Sequence, residues 1–291
     1  MKKYLTLADL LIDYRNYHRL SQIDLAAKLD VDVRTVIRWE KNETLVRQEK
    51  ETDFVRILGI PHQVMRNLNS EKPIPIYFDF LRRVYSFTTL SQKVLSNSVF
   101  ILDPEIDTDR IHLISSETDI EFISYIHKLH KNFSPLNAEI LLKAAQILPE
   151  LNLVLYSYSG FCAGHISILP LKYSSYLKIR NEGMLERNLH YNDLSYDLNN
   201  SPQVFYYYSL YADSVENSYY LINRVMFHFK NIKNKDYIFA GISRVKERID
   251  LFKEMGLNTV WEKQIETDGK GKSTLLEGTL ENFLSKKQDI E

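Results

Sequence analysis

The stretch from Ser21 to Asn42 constrains this chain more than any other. Ser21 is a helix-capping residue, and Asp24, three residues on, suits the positive end of a helix. That helix is predicted to end near Leu29, because Asp30 takes up left-handed backbone more readily than most residues. Asp32 is placed to cap a second helix running to about Lys41. Two short helices so tightly connected must cross steeply. Ala26 is small enough for close approach at the crossing, and Leu25, Leu29, Val31, Val36 and Trp39 are expected to fill the wedge. The second helix then presents Val33, Arg34, Thr35, Ile37 and Arg38 on or near its outward N-terminal side, the part of such a helix that enters a major groove. Arginine reaches two acceptors on guanine, and Val33 or Thr35 suits a thymine methyl. Gln22 is placed to meet a phosphate or an adenine edge. Asn42 completes the expected contact set.

Leu20-Ser21-Gln22, Leu25-Ala26 and Trp39-Glu40 together resemble the Cro/phage-repressor (Xre-type) helix-turn-helix family, over roughly residues 5 to 68. The family usually has glycine where this chain has Asp30. The resemblance implies an all-α DNA-binding head over residues 1–68, with Arg15 on the preceding helix paired to Glu40. It also implies a double-stranded DNA operator and a homodimer on two half-sites. Residues 1–70 carry Lys and Arg only slightly in excess of Asp and Glu, so one copy should bind weakly and with strong salt dependence.

Beyond the head, Asn69 to Pro75 carries turn and breaker residues and reads as a linker, followed by a connecting helix from about Phe78 to Ser96. Together they fill residues 69–107. From 108 to 265 the pattern alternates. Strands are predicted at Ile111–Ile114, Leu153–Tyr158, Ala163–Leu169, Val204–Tyr211, Tyr237–Gly241 and Leu257–Ile265, and helices at Thr118–Lys131, Asn137–Leu148, Asn217–Phe229 and Val245–Met255. A polar tail over 266–291 holds one short helix near Leu275 to Leu284.

This order, with Ala163-Gly164-His165-Ile166-Ser167-Ile168-Leu169-Pro170-Leu171 and Phe252-Lys253-Glu254-Met255-Gly256-Leu257, resembles the GNAT acetyltransferase fold. The expected fold class is therefore an all-α helix-turn-helix head followed by an α/β, mixed-sheet, GNAT-like domain. The resemblance implies that a diphosphate would bind in an Arg/Gln-x-x-Gly-x-Gly/Ala loop opening a helix. The corresponding residues, Asp213 to Tyr220, contain no glycine and two carboxylates. The tyrosine that the family often uses as general acid is replaced by Phe252. Both departures point away from acetyl transfer, and no catalytic residue, cofactor or cofactor-binding residue is expected.

Smaller patterns carry less. Gly271-Lys272-Ser273 imitates the end of a phosphate-binding loop without its first glycine. Cys162 and His165 point to opposite faces of a strand. His127 and His130, three apart on a helix, lack a matching third ligand, so no metal site is expected. Tyr206-Tyr207-Tyr208 reads as strand packing on both faces.

The net charge of -1 excludes a polybasic coat for nucleic acid, so any DNA contact must come from a local patch. One cysteine excludes an internal disulfide, and the absence of a long apolar run excludes a membrane span. The protein is expected in the cytoplasm, as a sequence-specific transcriptional regulator whose second domain dimerises or answers an unknown small-molecule effector. The alternative is an acyl-CoA-dependent acyltransferase carrying a DNA-targeting domain.

Overall fold

The computed structural model describes residues 1–87, 108–129, 136–157, 160–182, 184–197, 203–232, 236–264 and 272–285. Two compact units divide the chain: Met1–Ser98 with Ala212–Ser218, and Val99–Tyr211 with Tyr219–Glu291.

Local chemistry sets the helices of the first unit. Helix α1 (Leu7–His18) begins at a capping box between Thr6 and Asp9 and stops at Arg19, whose φ of 55° is left-handed. Helix α2 (Gln22–Leu29) begins at a second capping box, Ser21 with Asp24, and stops at Asp30 with φ 51°. Asp32 caps α3 (Val33–Glu40), its side chain accepting from the Arg34 N–H at 2.8 Å. Helix α4 (Gln48–Asp53) runs into a π turn, Phe54–Leu58, and α5 (His62–Leu68) follows. Leu10, Leu11, Leu25, Leu29, Val36 and Phe54 are wholly buried at their junction. Each such side chain contributes about 1.5–3 kcal/mol.

The unit is not all-α. Strands β1 (Lys2–Tyr4), β2 (Ile76–Asp79) and β3 (Val84–Ser86) form an antiparallel sheet in that order, with Lys2 opposite Phe78 and Phe78 opposite Tyr85. The helix expected from Phe78 is therefore absent over the described part; residues 88–96 lie outside the described residues. The physical reason is period. Ile76 and Phe78 are buried while Tyr77 and Asp79 are half-buried, the alternation of a strand. Leu81, counted toward a helical face, is 74% exposed in the turn, where Arg83 takes φ 56°.

The second unit is built on a seven-stranded mixed sheet with helices, the α/β class expected. Its strands are β4 (Ile111–Leu113), β5 (Asn152–Tyr156), β6 (Cys162–Lys172), β7 (Gln203–Ala212), β8 (Ile238–Ser243), β9 (Asn258–Gln264) and β10 (Lys272–Thr279), ordered 4-5-6-7-8-10-9. β7 and β8 are parallel, whereas β4/β5, β5/β6, β8/β10 and β10/β9 are antiparallel. Helices α6 (Glu117–Leu129) and α7 (Ala138–Ile147) precede β5. A short helix, α8 (Tyr173–Leu177), follows β6, α9 (Val215–Asn231) joins β7 to β8, and α10 (Lys246–Glu254) joins β8 to β9. β7 is buried on both faces: Val204, Tyr206 and Tyr208 pack in a core with residues of α6 and α7, while Phe205 and Tyr207 meet Phe229 and Phe252 edge-on. The tyrosine run is thus strand packing.

The tail departs from expectation. Lys272–Thr279 is a strand between β8 and β9, and only Leu280–Ser285 is helical (α11). Thr274, Leu275 and Leu276 are consecutive and buried, the pattern of a strand covered on both faces, which periodicity alone does not separate from a helix.

Candidate functional site

The crossing of α2 and α3 is set by what lies beneath it. Leu25, Leu29 and Val36 are fully buried, Trp39 is nearly so and meets Phe54 edge-on, and Val31 packs against the same core. On the side of α3, Glu40 is held by three donors. Arg15 Nε and Nη2 reach its two oxygens at 2.5 and 3.0 Å, and Gln22 Nε2 donates to Oε2 at 2.7 Å. Arg15 Nη1 also donates to the Leu20 carbonyl at 3.1 Å. The bond to Glu40 raises the pKa of Arg15. A planar guanidinium forked onto a carboxylate fixes orientation as well as distance. α1, the start of α2 and the end of α3 are therefore clamped at one carboxylate.

With that face occupied, α3 turns Arg34 and Arg38 outward; both are exposed, four residues apart on one side of the helix. Thr35 and Ile37 are half-buried beside them. Val33 is half-buried and packs on the core. Asn42 is exposed just after α3 with φ 56°, its amide 3.5 Å from Thr6 Oγ1. Gln22 is half-buried, with its amide nitrogen committed to Glu40. The sequence did not reveal that bond, because its partner lies 18 residues away.

The turn from β7 into α9, which belongs to the first unit, holds Asp213 and Ser214, both buried. The remaining features lie in the second unit. Phe252 packs edge-on against Tyr207 and Phe239, so a ring without a hydroxyl serves core packing there. Three polar clusters escaped the sequence reading. Ser209 Oγ lies 2.9 Å from His127 Nε2 and 2.7 Å from His165 Nε2. Ser209 carries one hydroxyl proton, so one imidazole accepts and the other donates. Glu186 accepts from Tyr206 Oη at 2.7 Å, and burial pushes its carboxyl up to about 7 against the pull of Tyr206 and Arg244. A cavity of about 640 Å³ is lined by Arg110, His112, Ser116, Asp119 and Tyr156. Asp119 is already held by the N–H groups of Ser115 and Ser116 and by Tyr156 Oη. Each cluster joins residues scattered along the chain, and spacing alone offers no signal for them.

Burial pushes the Cys162 thiol up to about 11, which leaves it a poor nucleophile at neutral pH. Lys272 and Ser273 lie on β10 rather than at the start of a helix, while Gly271 falls outside the described residues, as does His130. Among the described residues no group of three His, Cys, Asp or Glu could hold a metal, and no helix is long and apolar enough to cross a membrane.

No family model matches the chain, and no curated protein matches it. Among solved structures it is similar to Naa50 of Arabidopsis thaliana in complex with a CoA bisubstrate analogue, at 14% identity over 58% of this chain and 98% of that one, with a TM-score of 0.36. Arabidopsis thaliana NAA60 in complex with acetyl-CoA gives 16% identity, 58% and 98% coverage, and a TM-score of 0.36. A histone acetyltransferase HPA2-related acetyltransferase from Corynebacterium glutamicum gives 9%, 57% and 93%, and 0.30. At TM-scores this low the similarity establishes neither a shared fold nor a shared activity.

Proposed function

We propose that this protein is a sequence-specific DNA-binding regulator that reads duplex DNA with α3 as the second helix of an Xre-type helix-turn-helix. The observation that carries the reading is the clamp on Glu40. It fixes α3 against α1 and α2 through Arg15 and Gln22 while Arg34 and Arg38 stay exposed. A rigid helix presenting two forked cations suits guanine edges in a major groove. Asn42 and the free face of Gln22 serve as flanking contacts, and Thr35 and Ile37 as apolar ones. Two copies on two half-sites supply the affinity that the weakly basic head lacks.

The second unit is a GNAT-like body, supported by the element order on which that resemblance rests. We assign it to dimerisation or to an effector, with occupancy of the operator altered when the body changes the spacing of two heads. With one cysteine and no internal disulfide, the protein suits the cytoplasm.

The test is selection from randomised duplex DNA at two salt concentrations, wild type against Arg34→Ala/Arg38→Ala. A sequence should be enriched, and the double substitution should erase the preference at about 1–3 kcal/mol per arginine. If no sequence is selected, or the substitution changes nothing, the reading fails and the second unit must be tested as the functional one.

A further inference from the structure

A diphosphate bound at the start of a helix needs open backbone N–H groups, room for close approach and no nearby negative charge. The turn from β7 into α9 meets these needs poorly. Asp213 and Ser214 are only 6% and 3% exposed. Two donors of the first turn are satisfied internally: Asn217 N–H donates to Ser214 Oγ at 3.1 Å and Ser218 N–H to the Ser214 carbonyl at 3.0 Å. The Asp213 carboxylate accepts from Asn217 Nδ2 at 2.7 Å, which fixes a negative charge at the helix start. Tyr85 N–H donates to the Asp213 carbonyl at 2.9 Å, and Tyr85 and Ser214 form a parallel β-bridge. These residues do not fit an acyl-CoA diphosphate.

We propose that the Ala212–Ser218 turn is a strand-pairing element of the first unit, engaged by β3 in place of a nucleoside diphosphate. Within that unit β3 is the outer strand of the sheet β1-β2-β3, with β2 on one side. An open edge there would expose unpaired backbone groups to any passing chain. Tyr85 faces Phe78 on the β2 side and turns its N–H to Asp213 on the other, so the turn closes the edge. Tyr85 and Ser86 are buried, at 5% and 0% exposure. Backbone pairing of this kind tolerates side-chain change, so neither glycines nor basic residues are needed in the turn. Of the residues beyond 98, only Ala212–Ser218 belong to the first unit, and β7 leads directly into them.

The inference stands independently of whether α3 reads DNA. Its test uses the full chain, with coenzyme A as the calorimetric probe and amide hydrogen exchange as the structural one. Coenzyme A should show no binding up to concentrations on the order of 1 mM. The Tyr85 amide should exchange at least ~100-fold more slowly than in an unstructured chain. Asn217→Ala and Ser214→Ala, which loosen the turn, should each speed it by about tenfold while the amides of Leu10 and Leu25 keep their protection. Micromolar binding of coenzyme A would overturn the proposal. So would a Tyr85 amide that exchanges freely in the wild type, or one that ignores both substitutions in a chain whose Leu10 and Leu25 remain protected.

Discussion

Two helix starts in this molecule use the same chemistry to opposite ends. α3 is capped by Asp32 and α9 by Ser214, each supplying a side-chain oxygen to a first-turn N–H. Around Asp32 the chain is exposed, and Arg34 and Arg38 project from the helix it begins. Around Ser214 the chain is buried, and a carboxylate rather than a cation stands at the start. Capping alone therefore marks neither a binding site nor its absence. What covers the cap decides: solvent over α3, a paired strand over α9.

The largest effect is expected where the α2–α3 wedge is emptied. Trp39→Ala should destabilise the first unit by about 3–5 kcal/mol, seen as an early loss of far-UV dichroism in urea. A loss below about 1 kcal/mol would mean that Trp39 does not hold the crossing.

Glu40→Ala strips the carboxylate from three donors and leaves the Arg15 side chain, 17% exposed, without its charge partner. The expected cost is about 2–4 kcal/mol. Sequence preference on DNA should fall even under conditions where the chain remains folded. Preference unchanged in a folded Glu40→Ala would show that the clamp is structural and does not aim α3.

Glu186 sharpens the comparison from the second unit. Burial pushes its carboxyl up to about 7, from the 4.5 of an open chain. A raised carboxyl favours the folded state while protonated, so no penalty exists below pH 4.5. The penalty grows as pH rises from there and is complete above about 7. That difference is on the order of 3 kcal/mol. Glu186→Gln keeps an acceptor for Tyr206 and should flatten the fall in stability between pH 5 and pH 8, measured as Tm against pH. An unchanged profile would assign the fall to another group.

The smallest effect is at Asp30, whose φ of 51° suits glycine better. Asp30→Gly should stabilise the first unit by up to about 1 kcal/mol, without altering DNA preference.

The legible parts of the sequence were those whose cause lies within a few residues. The cap at Ser21 with Asp24, the left-handed Asp30 and the Leu25–Leu29–Val36–Trp39 wedge are each a matter of neighbours along one or two turns. So are most of the second unit's strands and helices. The candidate contact residues were named from type and spacing, yet their surroundings were not legible: Val33 packs inward and Gln22 serves Glu40.

The sequence by itself determined where helices start and stop around residues 21–41, and that Arg34 and Arg38 share one side of α3, because hydrogen bonds inside a turn and helical period settle both. Tertiary structure alone decided that residues 76–79 and 84–86 are strands, that β10 lies between β8 and β9, and that Ser209 lies between His127 and His165. It also decided that Tyr85 meets Asp213 across 128 positions of chain. A strand is completed only by a partner, and a buried polar group only by the groups that fold against it.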